Sequence, residues 1–256
     1  MMHSRCILLA LILALQTACA SVPGPVDAPG EDGAKLVRIL ENANRTLTIS
    51  KGIGRLKLNH SGSRQRLRIA WVSQVPNKIR LTVIGLDGRP LMTAAANESG
   101  FALQDHTSGT YQKGALEDYR LRAALNLPLN VNSLSLILAG RLPDFAYDRA
   151  VVTSGRTDEE GILVLKKWWN RIGRVYFRKA VSAGSRPTIT RIEAFRQTGE
   201  MRYSADIGAT REVGDFVVPR TLTIQSGTTD RIVLDIDRYW VNEPVGPETF
   251  KLPPPE

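Results

Sequence analysis

The chain has 256 residues, a net charge of +9 and a hydrophobic fraction of 43%, enough apolar material for one large β domain or two small ones. The basic residues are spread (Arg64, Arg66 and Arg68; Lys166 and Lys167; Arg171 and Arg174) with no run of five or six like charges. That spread argues against nucleic-acid binding and suits solvated strand faces or attraction to an anionic lipid surface. The two cysteines, Cys6 and Cys19, both precede the part that folds, which excludes a disulfide or a thiolate metal site there.

The N-terminus carries Arg5 and His3, then the apolar run 6–15 (CILLALILAL). This run is too short to span a bilayer, which takes roughly 20 residues. A charged start, a short apolar stretch and small residues before a cut have the layout of a signal peptide over 1–18. Leu15-Gln16-Thr17-Ala18-Cys19 resembles the bacterial lipobox, with its Leu one position further from the Cys than usual. The resemblance implies diacylglycerol and an N-acyl chain on Cys19, and Ala20 after it implies sorting to the outer membrane. The other reading is a plain secretory signal cut near Ala20. Residues 19–33, rich in Pro, Gly and acid, read as a flexible tether.

Residues 34–44 place Leu36, Ile39 and Leu40 on one face at helical spacing, with Val37 beside them. Strand composition follows at 46–58, 65–74, 78–86, 89–97 and 100–105, punctuated by turn signals at 61–63, Pro76-Asn77, Asp87-Gly88 and Glu98-Ser99-Gly100. The gaps are short, which predicts antiparallel hairpins. Two helices are predicted at 114–125 and 131–139, the second apolar nearly all round through Leu134, Leu136, Ile137 and Leu138, so that it must be buried on more than one side. Strands resume at 161–169, 172–180, 188–196, 200–207, 216–226 and 231–241, and residues 244–256 read as a Pro-rich tail.

Alternation in these strands sets one apolar face against one charged face. Leu67, Ile69 and Trp71 oppose Arg66 and Arg68; Ile232, Leu234, Ile236 and Trp240 oppose Asp235, Asp237 and Tyr239. A sheet of about eleven antiparallel strands that is wet on one side must curl. Its concave apolar face needs a cover, and the apolar helices are the available one. The expected fold is mainly β: a curved antiparallel sheet forming an incomplete half-barrel over 34–243, with a helical lid. A membrane-spanning barrel fits poorly, because the strand faces carry too many Arg and Lys for a lipid belt.

The chemistry of a catalyst is missing from the pattern. His60 and His106 stand outside HxH or HxxxH spacing and read as surface positions, and neither a GxSxG nor a phosphate-cradling GxxxxGK[ST] occurs. Asp235 and Asp237 on one strand face read more readily as solvated carboxylates than as a catalytic pair. Gly52-Ile53-Gly54 reads as a bend or bulge that helps the sheet curl. A non-enzyme is expected.

The stretch 78–88 (KIRLTVIGLDG), residues 89–100, the segment 125–143 (LNLPLNVNSLSLILAGRLP) and a closing strand with Asp237 and Tyr239-Trp240 together resemble the LolB family of outer-membrane lipoprotein receptors over roughly 36–242. The resemblance implies a half-barrel with a helical lid. It implies a periplasm-facing, lipid-anchored monomer at the inner leaflet of the outer membrane, which accepts acylated lipoproteins from a LolA-like carrier and inserts them. It also implies a protruding insertion loop, matched here by 84–90 with Leu86 as its apolar residue; the alternative for Leu86 is a strand end packed on the sheet. The implied acyl-chain cavity maps to Trp71, Leu81, Val83, Met92, Leu134, Ile137 and Leu138, each of which could equally be plain core. No cofactor beyond the lipid on Cys19 and no metal is expected. Two other readings remain open: a half-barrel that moves free lipid or glycolipid, and a scaffold lipoprotein whose interior is filled by its own side chains.

Overall fold

The computed structural model describes residues 31–60, 63–116, 128–180, 185–227 and 230–255. Cys19, the lipobox, most of the tether and most of the helix expected at 114–125 lie outside the described residues. Helix α1 (Glu31–Asn42) leads into β1 (Ile49–His60), β2 (Ser63–Gln74), β3 (Lys78–Ile84), β4 (Pro90–Asn97), β5 (Gly100–Asp105) and β6 (Tyr111–Gly114). Helix α2 (Val131–Leu138) follows, then β7 (Arg149–Ser154), β8 (Glu160–Lys167), β9 (Asn170–Arg178), β10 (Thr188–Phe195), β11 (Met201–Val213), β12 (Phe216–Ser226) and β13 (Asp230–Val241). A short 3-10 turn, Pro247–Phe250, ends the order.

All described strands join one antiparallel, unclosed sheet in the order β6-β5-β4-β3-β2-β1-β13-β12-β11-β10-β9-β8-β7. The half-barrel with a helical lid expected from alternation is therefore the observed fold, with thirteen described strands where about eleven were expected. The additional two are the edge strands β6 and β7. Each has a neighbour on one side only, and their short sequences (YQKG and RAVVTS) carry little alternation to read. Pairing of β1 with β13 joins the two halves at the centre of the sheet. The sheet's edges are thus β6 and β7, the two strands that flank the helical segment in sequence. The chain from one edge to the other passes α2 across the concave face.

Buried positions alternate as the period of a strand requires: along β3, Ile79, Leu81 and Val83 are buried and the residues between them half-buried. The convex side is wet and charged. Lys57 meets Asp235 at 2.8 Å and Arg55 meets Asp237 at 3.2 Å across β1 and β13, so these two carboxylates serve cross-strand pairs. One alternation reading needs correction. Tyr239 is buried and Trp240 only half-buried, the reverse of the expected facing. The β1–β13 register slips at Ile53/Gly54, leaving Asp237 as an extra residue. A one-residue bulge turns every later side chain to the other face. A second slip around Gly208 lets β11 run on to Val213, well past the expected end at 207.

Outside the sheet, α1 packs across β7 with Val37 and Leu40 buried and the Gly33 backbone close against Ala150. Ile39, expected on that face, is 38% exposed. The C-terminal segment is strapped over the convex side of β3–β6. Arg80 donates to the carbonyls of Thr249 (3.3 Å) and Lys251 (3.1 Å), Asn97 to that of Phe250 (2.9 Å) and Tyr111 to that of Leu252 (2.8 Å). Phe250 is buried beneath it, and β4 is accordingly buried on both faces from Thr93 to Ala96.

Gly52 has a specific task in this frame: a Cβ at that position would fall on the indole of Trp71, its register partner on β2. Gly52→Val should therefore push Trp71 off its seat and destabilise the protein by about 1–3 kcal/mol. Urea unfolding checks this; an unchanged midpoint would contradict the packing described.

Candidate functional site

The site is the space between α2 and the concave face. Asn130 caps the helix, its Oδ1 accepting from the Ser133 N–H at 2.8 Å. At the other end Gly140 adopts a left-handed φ of 68°, and the Arg141 N–H reaches back to the Leu136 carbonyl at 2.9 Å. That is a glycine-terminated helix of the kind the segment Gly140-Arg141-Leu142-Pro143 predicts. Polar ties hold α2 to the sheet at both ends: Ser133 in its first turn hydrogen-bonds the Tyr203 hydroxyl of β11, and further ties lie at its C-terminal end. The Tyr239 hydroxyl donates to the Leu138 carbonyl at 2.7 Å. Asn44 Nδ2 donates to the carbonyls of Ala139 (2.9 Å) and Val217 (2.7 Å), joining the helix end to β12. Burial pushes the Tyr239 hydroxyl well above the usual tyrosine range, so it stays protonated and able to donate.

Beneath the lid is an apolar cavity of about 50 Å³. Leu134 and Leu138 form its roof; Leu56, Ile69, Trp71 and Leu81 wall it from β1, β2 and β3, and Leu222, Ile224, Ile232 and Leu234 from β12 and β13. The Trp71 indole also meets the Tyr239 ring edge-on, centroids 5.9 Å apart. Of the residues expected in a cavity, Trp71, Leu81, Leu134 and Leu138 line it. Val83 and Met92, register partners on β3 and β4, and the fully buried Ile137 do not. The β1, β12 and β13 residues of the wall were not singled out from the sequence, although the alternation of β13 had already turned Ile232 and Leu234 inward. Among the described residues, Trp71 Nε1, Ser73 Oγ and Ser135 Oγ are buried without a hydrogen-bond partner, an arrangement that costs about 1–3 kcal/mol per group. A second cavity, about 240 Å³, opens between the C-terminal end of α1, Gly140 and strands β10–β12.

Leu86 stands outside this interior, 93% exposed at the tip of the turn between β3 and β4. Its turn is well fixed: the Gly85 N–H donates to the Arg89 carbonyl (2.9 Å), the Gly88 N–H to the Gly85 carbonyl (3.1 Å), and the Arg89 N–H to Asp87 Oδ1 (3.1 Å), with Gly88 at a φ of 83°. Leu86 therefore does not pack on the sheet. Among the described residues the most exposed large apolar side chains besides Leu86 are Trp168 and Trp169, which the sequence placed at the end of a strand over 161–169. The strand stops at Lys167, and the two tryptophans form the turn itself. The turn carries no Gly, Asn or Asp between its strands, so nothing in its composition announces it. His106 is an exposed loop residue whose Nε2 lies 2.9 Å from Thr93 Oγ1. Among the described residues no group of three or more His, Cys, Asp or Glu could hold a metal ion, and no helix is long and apolar enough to cross a membrane.

Neither a family model nor a curated protein matches this chain. Solved structures do. A DUF1329 family protein from Desulfovibrio piger superposes with a TM-score of 0.60 at 8% identity, covering 87% of this chain and 97% of that one. A LolA superfamily protein from Nitrosomonas europaea gives 0.58 at 8% identity over 86% and 97%. A domain described as an outer-membrane lipoprotein-sorting protein, from Vibrio parahaemolyticus, gives 0.50 at 10% identity over 87% and 97%. At such identities the likeness is one of fold, and the fold is the LolA-like open half-barrel.

The Tyr239 hydroxyl makes a checkable contribution to holding the lid. Tyr239→Phe leaves the Leu138 carbonyl without its donor and should lower stability by about 1–2 kcal/mol, read by urea unfolding at neutral pH. The folded-state pKa lies above the unfolded one, so this contribution is present below about pH 10 and fades as pH rises beyond that. The difference between wild type and Tyr239→Phe should therefore shrink in alkali; a pH-independent difference would contradict the assignment.

Proposed function

We propose that this protein is a lipid-anchored, periplasm-facing receptor that takes an acylated lipoprotein from a LolA-like soluble carrier, holds its acyl chains between α2 and the sheet, and delivers them to the inner leaflet of the outer membrane. The observation that carries the reading is the carbon-walled space between α2 and the concave face of the sheet. At about 50 Å³ the closed cavity is far below the roughly 300–1,000 Å³ of a ligand pocket. Cargo entry in this reading lifts α2 from the sheet, and Leu134 and Leu138 exchange contact with the sheet for contact with the chain. Leu86, on its braced turn, is the group that enters the leaflet during delivery, and Cys19 carries the anchor. A resident cofactor or catalytic step has no part in this role.

The test uses the full chain with Cys19→Ser, so that no covalent lipid contributes, and a carrier loaded with radiolabelled lipoprotein. Label should move to the protein. Leu134→Asp should cut that acceptance by at least about tenfold, because it places a carboxylate in the apolar space. Leu86→Glu should leave acceptance intact and slow passage of label into vesicles. No transfer, with a fluorescent fatty acid still bound, would replace lipoprotein cargo by free lipid. Neither event would favour a scaffold whose interior is filled by its own side chains.

A further inference from the structure

The turn between β8 and β9 combines features that a solvated hairpin avoids. It is a two-residue turn, Lys167 pairing with Asn170 across it. Such turns favour glycine or asparagine where φ is positive, yet Trp168 occupies that position with a φ of 56°, an unfavourable conformation for a bulky residue. Its N–H is held by Asp148 Oδ2 at 2.9 Å. Both indoles project into solvent, Trp168 at 77% exposure and Trp169 at 90%. Two of the largest apolar side chains are thus held outward on a turn that opposes them, without packing to account for it.

The charge around the tip is equally specific. Arg149, Lys166 and Arg171 stand side by side in register across β7, β8 and β9, with Lys167 next to the turn. The row, in which Arg171 also stacks over the Phe195 ring at 4.2 Å, gives the tip a cationic face suited to an anionic surface. Tryptophan favours the bilayer–water interface, and Lys and Arg favour the phosphate level just outside it. The position of the turn agrees. Because every neighbouring pair is antiparallel, hairpin turns alternate between the two strand ends of the sheet, and by the strand order the β8–β9 turn lies at the same end as the β3–β4 turn that carries Leu86.

We propose that the β8–β9 tip is a membrane-docking element that seats Trp168 and Trp169 in the interface of an anionic phospholipid leaflet, with Arg149, Lys166, Lys167 and Arg171 against the headgroups. With Leu86 on the same rim, the sheet meets the leaflet at two points and is oriented end-on to it. The tip acts independently of what the interior carries.

Co-sedimentation of the full chain, carrying Cys19→Ser, with vesicles of phosphatidylglycerol and phosphatidylethanolamine tests this. The parent should bind, weaken with added salt, bind phosphatidylcholine vesicles poorly and shift its tryptophan emission to the blue. Trp168→Ala with Trp169→Ala should lose about tenfold in vesicle affinity and most of that shift. Arg149→Glu with Lys167→Glu should lose the preference for anionic vesicles while keeping both indoles. An unchanged urea midpoint shows that each variant is folded. Equal vesicle affinity in parent and Trp variant would overturn the proposal. So would a concentration-dependent dimer, formed without vesicles and abolished in the Trp variant, which would make the tip a contact between copies. Failure of cargo transfer with vesicle binding intact would count against the receptor role alone.

Discussion

The fold turns on burial of one apolar sheet face by a chain whose order leaves few ways to do it. Central pairing of β1 with β13 makes β6 and β7 the two edges. The segment that separates those strands in sequence must run from one edge to the other, and the concave face lies between them. A polar segment there would leave the inner rows of Leu, Ile and Val wet. The sequence instead supplies the apolar α2, buried at Val131, Leu134, Ser135, Leu136, Ile137 and Leu138. Each inward leucine that the lid covers is worth about 1.5–3 kcal/mol of hydrophobic stabilisation. The same burial defines what the proposed function must overcome, since any cargo that enters has to replace those contacts with its own.

That exchange is energetically plausible without an external energy source. An acyl chain carries about 0.8 kcal/mol per buried CH₂, so a chain that fills the space under a raised lid recovers what the lid leucines give up. A site that must first displace its own side chains binds less tightly than a preformed pocket, which suits cargo that has to leave again. In the proposed role the membrane is the final and most favourable site. The exposed rim groups, Leu86 and the tryptophan turn, lie at the same strand end of the sheet, which in the proposed role faces the leaflet.

Much of this was legible in the sequence because strand alternation and helix periodicity are local signals. The half-barrel, the lid and the inward facing of Trp71 follow from period-two and period-3.6 patterns, whereas Leu81, Leu134 and Leu138 were pointed to by the family resemblance. What was missed has physical causes. The bulge at Asp237 reversed Tyr239 and Trp240, because one extra residue inverts facing without changing composition. The wall from Leu56, Leu222 and Ile224 depends on which strands become neighbours, a fact of topology. Trp168-Trp169 read as strand because their β propensity is high and their turn lacks glycine. The C-terminal Pro-rich segment read as a tail because its attachment is made by its own carbonyls, accepting from Arg80, Asn97 and Tyr111, and backbone acceptors leave no mark in a sequence.

The central claim is that the interior beneath α2 admits an acyl chain. Trp71, 3% exposed and part of the cavity wall, reports on it directly once Trp168, Trp169 and Trp240 are replaced by Phe. A bromine-labelled long-chain fatty acid quenches an indole only on contact. The account predicts saturable quenching of Trp71 that disappears in Leu134→Asp. Trp71 emission that stays unquenched while the fatty acid is in excess, with the fold intact, would mean that the lid does not open and that the interior is simply a core.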